Sequence, residues 1–172
     1  QIPHNRRWPV STTNDSEPDF AHADIGIVAA LPIELGAFLD RCAKVRKYTG
    51  GEFVFRGGRY EKAKIAIVES GIGFSRARRA TQAMIEAHTP KWLLSCGFSG
   101  ALLSDMKIGH IVMANSICDV HGHDMEVKLN LPGDPDKGLH IGRIVTADEL
   151  VRTVEEKQQL AERFATIRSE EH

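Results

Sequence analysis

The sequence predicts an α/β fold on a mixed, mostly parallel sheet, from three stretches. The longest is Lys64–Asn115. In it an apolar strand, Ile65–Val68, runs into the turn Ser70-Gly71-Ile72-Gly73 and an amphipathic helix. A second apolar strand, Trp92–Cys96, then ends in the turn Gly97-Phe98-Ser99-Gly100, and a third strand covers Ile111–Ala114. Strand, helix and strand with short links argue for a right-handed parallel crossover. The second stretch, Ile25-Gly26-Ile27-Val28-Ala29-Ala30, is a continuous apolar run with β-branched residues, as a buried parallel strand requires. The third, Tyr48–Tyr60, reads as a hairpin turning at Gly57-Gly58, which makes the sheet mixed. Ligands of such sheets bind at the carboxyl ends of the strands, where both glycine turns fall.

Composition narrows the function classes. The chain has 172 residues, 42% hydrophobic and 26% charged, enough for one domain with a core. A net charge of −1 provides no field that favours nucleic acid or an anionic membrane. No apolar run approaches the ~20 residues of a membrane span. The three cysteines, Cys42, Cys96 and Cys118, fit neither a zinc site nor a disulfide framework, so reduced thiols in a cytoplasm are expected. The chain begins at Gln1, which points to a trimmed or processed product.

In chain order, residues 1–24 are rich in Asn, Ser, Thr and Pro without a period, and read as a disordered or extended arm before a domain at 25–172. Leu31-Pro32 breaks the first strand, and a helix is expected over Ile33–Lys44, with Pro32 at its first turn. Glu34 falls in that turn, just past the strand's carboxyl end. It is either a functional carboxylate or a solvated one that suits the helix dipole. Ser75 can cap a helix over Arg76–His88, whose apolar face is Ala77, Ala80, Thr81, Met84, Ile85 and Ala87–His88. Arg76, Arg78 and Arg79 near its start oppose the dipole, and read as an anion or partner contact or as a solvated face. Gly71-Ile72-Gly73 is not the dinucleotide fingerprint, because Arg76 stands where a third small residue belongs. Gly97-Phe98-Ser99-Gly100-Ala101 resembles a nucleophile elbow but lacks its second glycine, which weakens Ser99 as an acyl nucleophile. His121, His123 and Asp124 lie in a loop that runs over Asp119–His140. They are too few for a closed metal site, so no metal is expected. A strand at Leu139–Thr146 and a helix over Leu150–Phe164 follow. Ala165–His172 is polar, with no further strand expected.

Five ordered motifs carry a resemblance. They are Ile25–Leu31 with Glu34, Ser70–Gly73, Gly97–Ala101, Lys107-Ile108-Gly109-His110-Ile111-Val112, and Ile144-Val145-Thr146-Ala147-Asp148. In order and spacing the chain resembles the nucleoside phosphorylase and nucleosidase superfamily, especially the methylthioadenosine/S-adenosylhomocysteine nucleosidases. The resemblance implies a three-layer α/β/α sandwich, a homodimer, no cofactor, and cleavage of the N-glycosidic bond of a purine or related nucleoside. It makes Glu34 the residue that activates the attacking water. Ile72, with Gly73 beside it, lines the sugar and its 5′ substituent, and Phe98, Ser99 and Gly100 form the floor under the ribose. Leu150 and Val151 hold the base where relatives more often place an aromatic ring, forgoing stacking of ~0.5–1.5 kcal/mol.

Two departures shape the expectation. Phosphate-using members carry an arginine before the central glycine turn and a hydroxyl residue within it, where this chain has Ser95 and Phe98. Without that clamp, hydrolysis is expected over phosphorolysis, the alternative being a phosphorylase with a non-standard phosphate site. The family's C-terminal third also carries a Met-Glu pair for the ribose and an Asp that protonates the leaving base. Neither follows Phe164, so the domain reads as C-terminally incomplete. A catalytically degenerate nucleoside-binding module is therefore the alternative of a different class.

Overall fold

Ile25–Ala29 forms β1, and all but its first residue are buried. The computed structural model describes residues 22–128, 131–148, 151–164 and 167–171. Most of the expected N-terminal arm lies outside the described residues. Its end does not behave as an arm: Ala23 is buried, and Asp24 accepts from the Lys64 backbone N–H and pairs with Lys91 at 2.8 Å.

The first sheet has the order β2-β3-β4-β1-β5, with β2 at Ala43–Gly50, β3 at Phe53–Tyr60, β4 at Ala63–Glu69 and β5 at Trp92–Ser95. β1 is parallel to both neighbours, Ala29 lying opposite Glu69 of β4 and Val28 opposite Ser95 of β5. β2, β3 and β4 pair antiparallel. The second sheet has the order β6-β10-β9-β7-β8. Its strands are β6 (Gly100–Ala101), β7 (Ile111–Asp119), β8 (Asp124–Glu126), β9 (Leu139–Thr146) and β10 (Ile167–Glu171). The expected α/β architecture with mixed sheets holds, its strands distributed over two sheets.

The centre of the first sheet, β1 and β4, is covered on both faces, while β5 is exposed. Helix α1 (Gly36–Leu39) follows a 3-10 turn at Pro32–Glu34, and Leu35, Phe38 and Leu39 pack on Ile27, Ala29, Ile65 and Ile67. On the other face Ala80 and Met84 of α2 (Phe74–His88) meet Val28, Phe53, Phe55, Ala66 and Val68. Alternation along β1 and β4 sends successive apolar side chains to opposite faces, so a strand buried on both sides needs the continuous apolar run read in the sequence. At the foot of α2, the buried His88 contacts the Tyr48 hydroxyl through Nε2 at 2.6 Å, and burial pushes the Tyr48 phenol well above its ordinary pKa.

Several local expectations are corrected. The Ile33–Lys44 helix is one 3-10 turn and one α turn, because Ala43–Gly50 is drawn into the sheet beside β3. The hairpin does not turn at Gly57-Gly58, since β3 runs straight through both. A Cβ on Gly58 would stand 3.3 Å from the Ala43 carbonyl oxygen and from Val45, so this glycine serves close strand approach rather than a turn. Ser75 does not cap α2, which starts one residue earlier behind Gly73 at φ +106°. The α2 face buries Ala80, Met84 and His88 but leaves Ile85 exposed. The Asp119–His140 loop contains β8, and the polar tail forms β10 between β9 and β6, where cross-strand pairing overrides weak propensity. The last helix is shorter than expected: α3 covers Val154–Arg163, begun by a Thr153/Glu156 capping box. Among the described residues no helix is long and apolar enough to cross a membrane.

Met84 is fully buried under α2, so Met84→Ala should cost about 2–5 kcal/mol in urea unfolding. The Lys91 ammonium and then the Lys64 N–H hold the Asp24 carboxyl below its ordinary range. That contribution is present above the unfolded pKa and lost as pH falls through the lower folded pKa. Asp24→Asn should therefore lower Tm near neutral pH, with the difference shrinking in acid, as read by melts across a pH series.

Candidate active site

Three parallel strands deliver their carboxyl ends to one edge of the first sheet, with β1 between β4 and β5. After β4, the Ser70 N–H donates to the Ala29 carbonyl and the Gly71 N–H to the Ala30 carbonyl, at 2.8 and 3.0 Å. After β5, the Cys96 N–H donates to the Val28 carbonyl at 3.0 Å. The two glycine turns therefore flank the exit of β1, where the chain makes its 3-10 turn.

Glu34 ends that turn and is half-buried. Its Oε2 accepts from the Leu31 N–H at 2.8 Å and its Oε1 from the Phe98 N–H at 3.1 Å. One peptide links both sides: the Ala30 carbonyl receives the Gly71 N–H, while the Leu31 N–H of the same peptide holds Glu34. The carboxylate is thus clipped to the Gly97–Gly100 turn directly and tied to the Ser70–Gly73 turn through a single peptide plane. Two backbone donors leave about half of its lone-pair positions free for another donor, such as water.

Arg76, in the first turn of α2, donates through Nε to the Ser70 carbonyl at 2.9 Å and lies over Gly71. Its job here is to fasten the turn. Arg79 pairs with Glu52, and Arg56 with Glu69 at 2.7 Å beside Ser70. Sequence reading placed Gly97 in a turn at this edge but not against Glu34, a partner distant along the chain, and left Arg76 between an anion or partner contact and a solvated face, not a fastener of the turn.

The other expected site residues divide. Ile72 and Phe98 are exposed on the two turns, with Gly73, Ser99 and Gly100 beside them, all at the Glu34 edge. Val151 lines a groove of about 390 Å³ with Val120, Ala147, Asp148, Leu160 and Arg163. Leu150 lies outside the described residues. His121, His123 and Asp124 take separate partners: Asp148, Asp119 and Arg143.

Comparison with known proteins gives the family and the fold. Residues 24–169 match the profile of the Phosphorylase superfamily. The chain is similar to the 5′-methylthioadenosine/S-adenosylhomocysteine nucleosidase of Desulfotalea psychrophila, 29% identical over 93 residues, covering 54% of this chain and 40% of that protein. It is similar to that of Hydrogenovibrio crunogenus, 22% identical over 149 residues, covering 83% of this chain and 62% of that protein. The chain therefore spans 40–62% of the length of these two relatives. The fold matches the crystal structure of the S-adenosylhomocysteine nucleosidase of Streptococcus pyogenes with 5-methylthiotubericidin. The TM-score is 0.71 at 20% identity, over 89% of this chain and 75% of that one.

Arg76→Ala should loosen the first glycine turn. Amide exchange at Gly71 should quicken about tenfold, the worth of one charge-assisted hydrogen bond, while α2 amides beyond its second turn hold their protection in the same experiment.

Proposed function

The chain belongs to the Phosphorylase superfamily, and on that premise we propose that it carries the water-activating half of a nucleoside N-ribohydrolase site, with Glu34 as general base. The observation that carries the reading is the Glu34 carboxylate, held by the Leu31 and Phe98 N–H groups among three strand ends. A water bound to a free lone pair of that carboxylate would give it a proton as its oxygen attacks the anomeric carbon. The glycosidic bond breaks with its electron pair passing to the base nitrogen, which takes up a proton from solvent or a general acid. Ile72 and Gly73 would line the sugar's 5′ side, and Phe98, Ser99 and Gly100 its floor. A purine nucleoside with a small apolar 5′ substituent suits the exposed Ile72 and Phe98 side chains, and the relatives' names point to the same class. Leu150 and Val151 are proposed to hold the base.

Hydrolysis is favoured over phosphorolysis because cations at this edge already have partners. Arg76 serves the Ser70 carbonyl and Arg56 serves Glu69, while the position before Cys96 and Gly97 is Ser95. Among the described residues, Arg76 and Arg56 at this edge are thus engaged and not placed as a guanidinium clamp for a phosphate dianion. We propose further that the chain works as a homodimer in the cytoplasm.

A second reading is nucleoside binding without turnover. It is favoured by the openness of the turns, with Ile72 64% and Phe98 67% exposed. Catalysis by fixed dipoles gains strength when water is excluded, and these loops alone do not exclude it.

Both readings are separated by incubating the protein with 5′-methylthioadenosine and following free adenine. The expected result is release that added inorganic phosphate does not accelerate. Glu34→Gln should reduce it by about 10²–10⁴-fold while calorimetric binding is kept. Binding with no release by the unmodified protein would select the second reading.

A further inference from the structure

A residue with no side chain packs against the Glu34 carboxylate. A Cβ built on Gly97 would stand 2.8 Å from Glu34 Oε1, 3.3 Å from its Cδ and 3.6 Å from Oε2. The first distance is one that real Cβ atoms do not reach. Gly97 is not among the glycines with positive φ, so its backbone is one any residue could adopt. Backbone conformation therefore does not require glycine here, whereas space does.

We infer that Gly97 is a positioning residue for the proposed reaction: its bare Cα forms the seat on which the Glu34 carboxylate rests. The next residue completes the arrangement, because the Phe98 N–H donates to the same Oε1 that a Gly97 side chain would strike. Moving the carboxylate aside costs hydrogen bonds. The Leu31 N–H holds Oε2 at 2.8 Å, and Glu34 itself sits in a tight 3-10 turn with little slack. A methyl group at residue 97 must therefore break the Phe98 bond, the Leu31 bond or both. The substrate floor at Ser99 and Gly100 stays in place, so the defect falls on the base and not on binding.

The catalytic part of this inference rests on the nucleosidase reading; the seat itself does not. The test is a two-by-two set of variants: unmodified protein, Gly97→Ala, Glu34→Ala and the double variant, each measured by thermal melting and by adenine release. With Glu34 present, Gly97→Ala should lower Tm by about 2–4 °C and cut kcat by about 10²-fold with KM little changed, the scale of a misplaced catalytic group. In the Glu34→Ala background the added methyl meets no carboxylate, and Tm should hold. Equal Tm losses in both backgrounds, or Gly97→Ala with unmodified kcat, would overturn the inference. Should the unmodified protein release no adenine, the nucleosidase reading fails while the melting comparison still decides whether Gly97 seats Glu34.

Discussion

At its carboxyl end β1, with the residue that follows it, yields three successive carbonyls to two neighbours. Val28 receives the N–H of Cys96 from beyond β5, and Ala29 and Ala30 receive those of Ser70 and Gly71 from beyond β4. These bonds are the parallel ladder continued past the strands, into the loops. They fix the two glycine turns against the exit of β1, where the chain makes its 3-10 turn. The place of Glu34 follows from that. Were β1 an edge strand, one turn would be free to drift, and the carboxylate would have a partner on one side only.

The energetics favour this edge as a rigid element. β1 and β4 are buried on both faces, with Met84 and Val68 fully buried on one and Leu35 and Ile67 nearly so on the other. Side chains packed to that degree do not shift to accommodate a neighbour. The Glu34 carboxylate is then held by two backbone donors, which costs little conformational entropy. Arg76 and Gly97 fit the same scheme from opposite flanks, one fastening a turn and the other leaving room for a carboxylate. The second sheet begins at Gly100, two residues past the Phe98 N–H that holds Glu34.

Much of the fold was legible because burial leaves a period. The apolar runs Ile25–Ala30 and Ile65–Val68 could only be two-sided strands, and the spacing around Met84 could only be a helix face. Local punctuation was less informative. Gly57-Gly58 has the composition of a turn but lies inside β3, because a strand passing close by also selects glycine. Residues Ala165–His172 lack strand character, yet part of that stretch pairs with β9 and β6. In both cases a distant partner set the outcome.

By itself the sequence determined that a carboxylate would stand just past the first buried strand and that two glycine turns would close parallel strands. Apolar periodicity and turn chemistry are local, so they survive in a linear reading. Only the tertiary structure decided that Phe98, 64 residues away, would lend its N–H to Glu34, and that Gly97 would owe its identity to that carboxylate. Strand order brings those residues together, and strand order depends on how faces are buried in three dimensions, which no local pattern encodes.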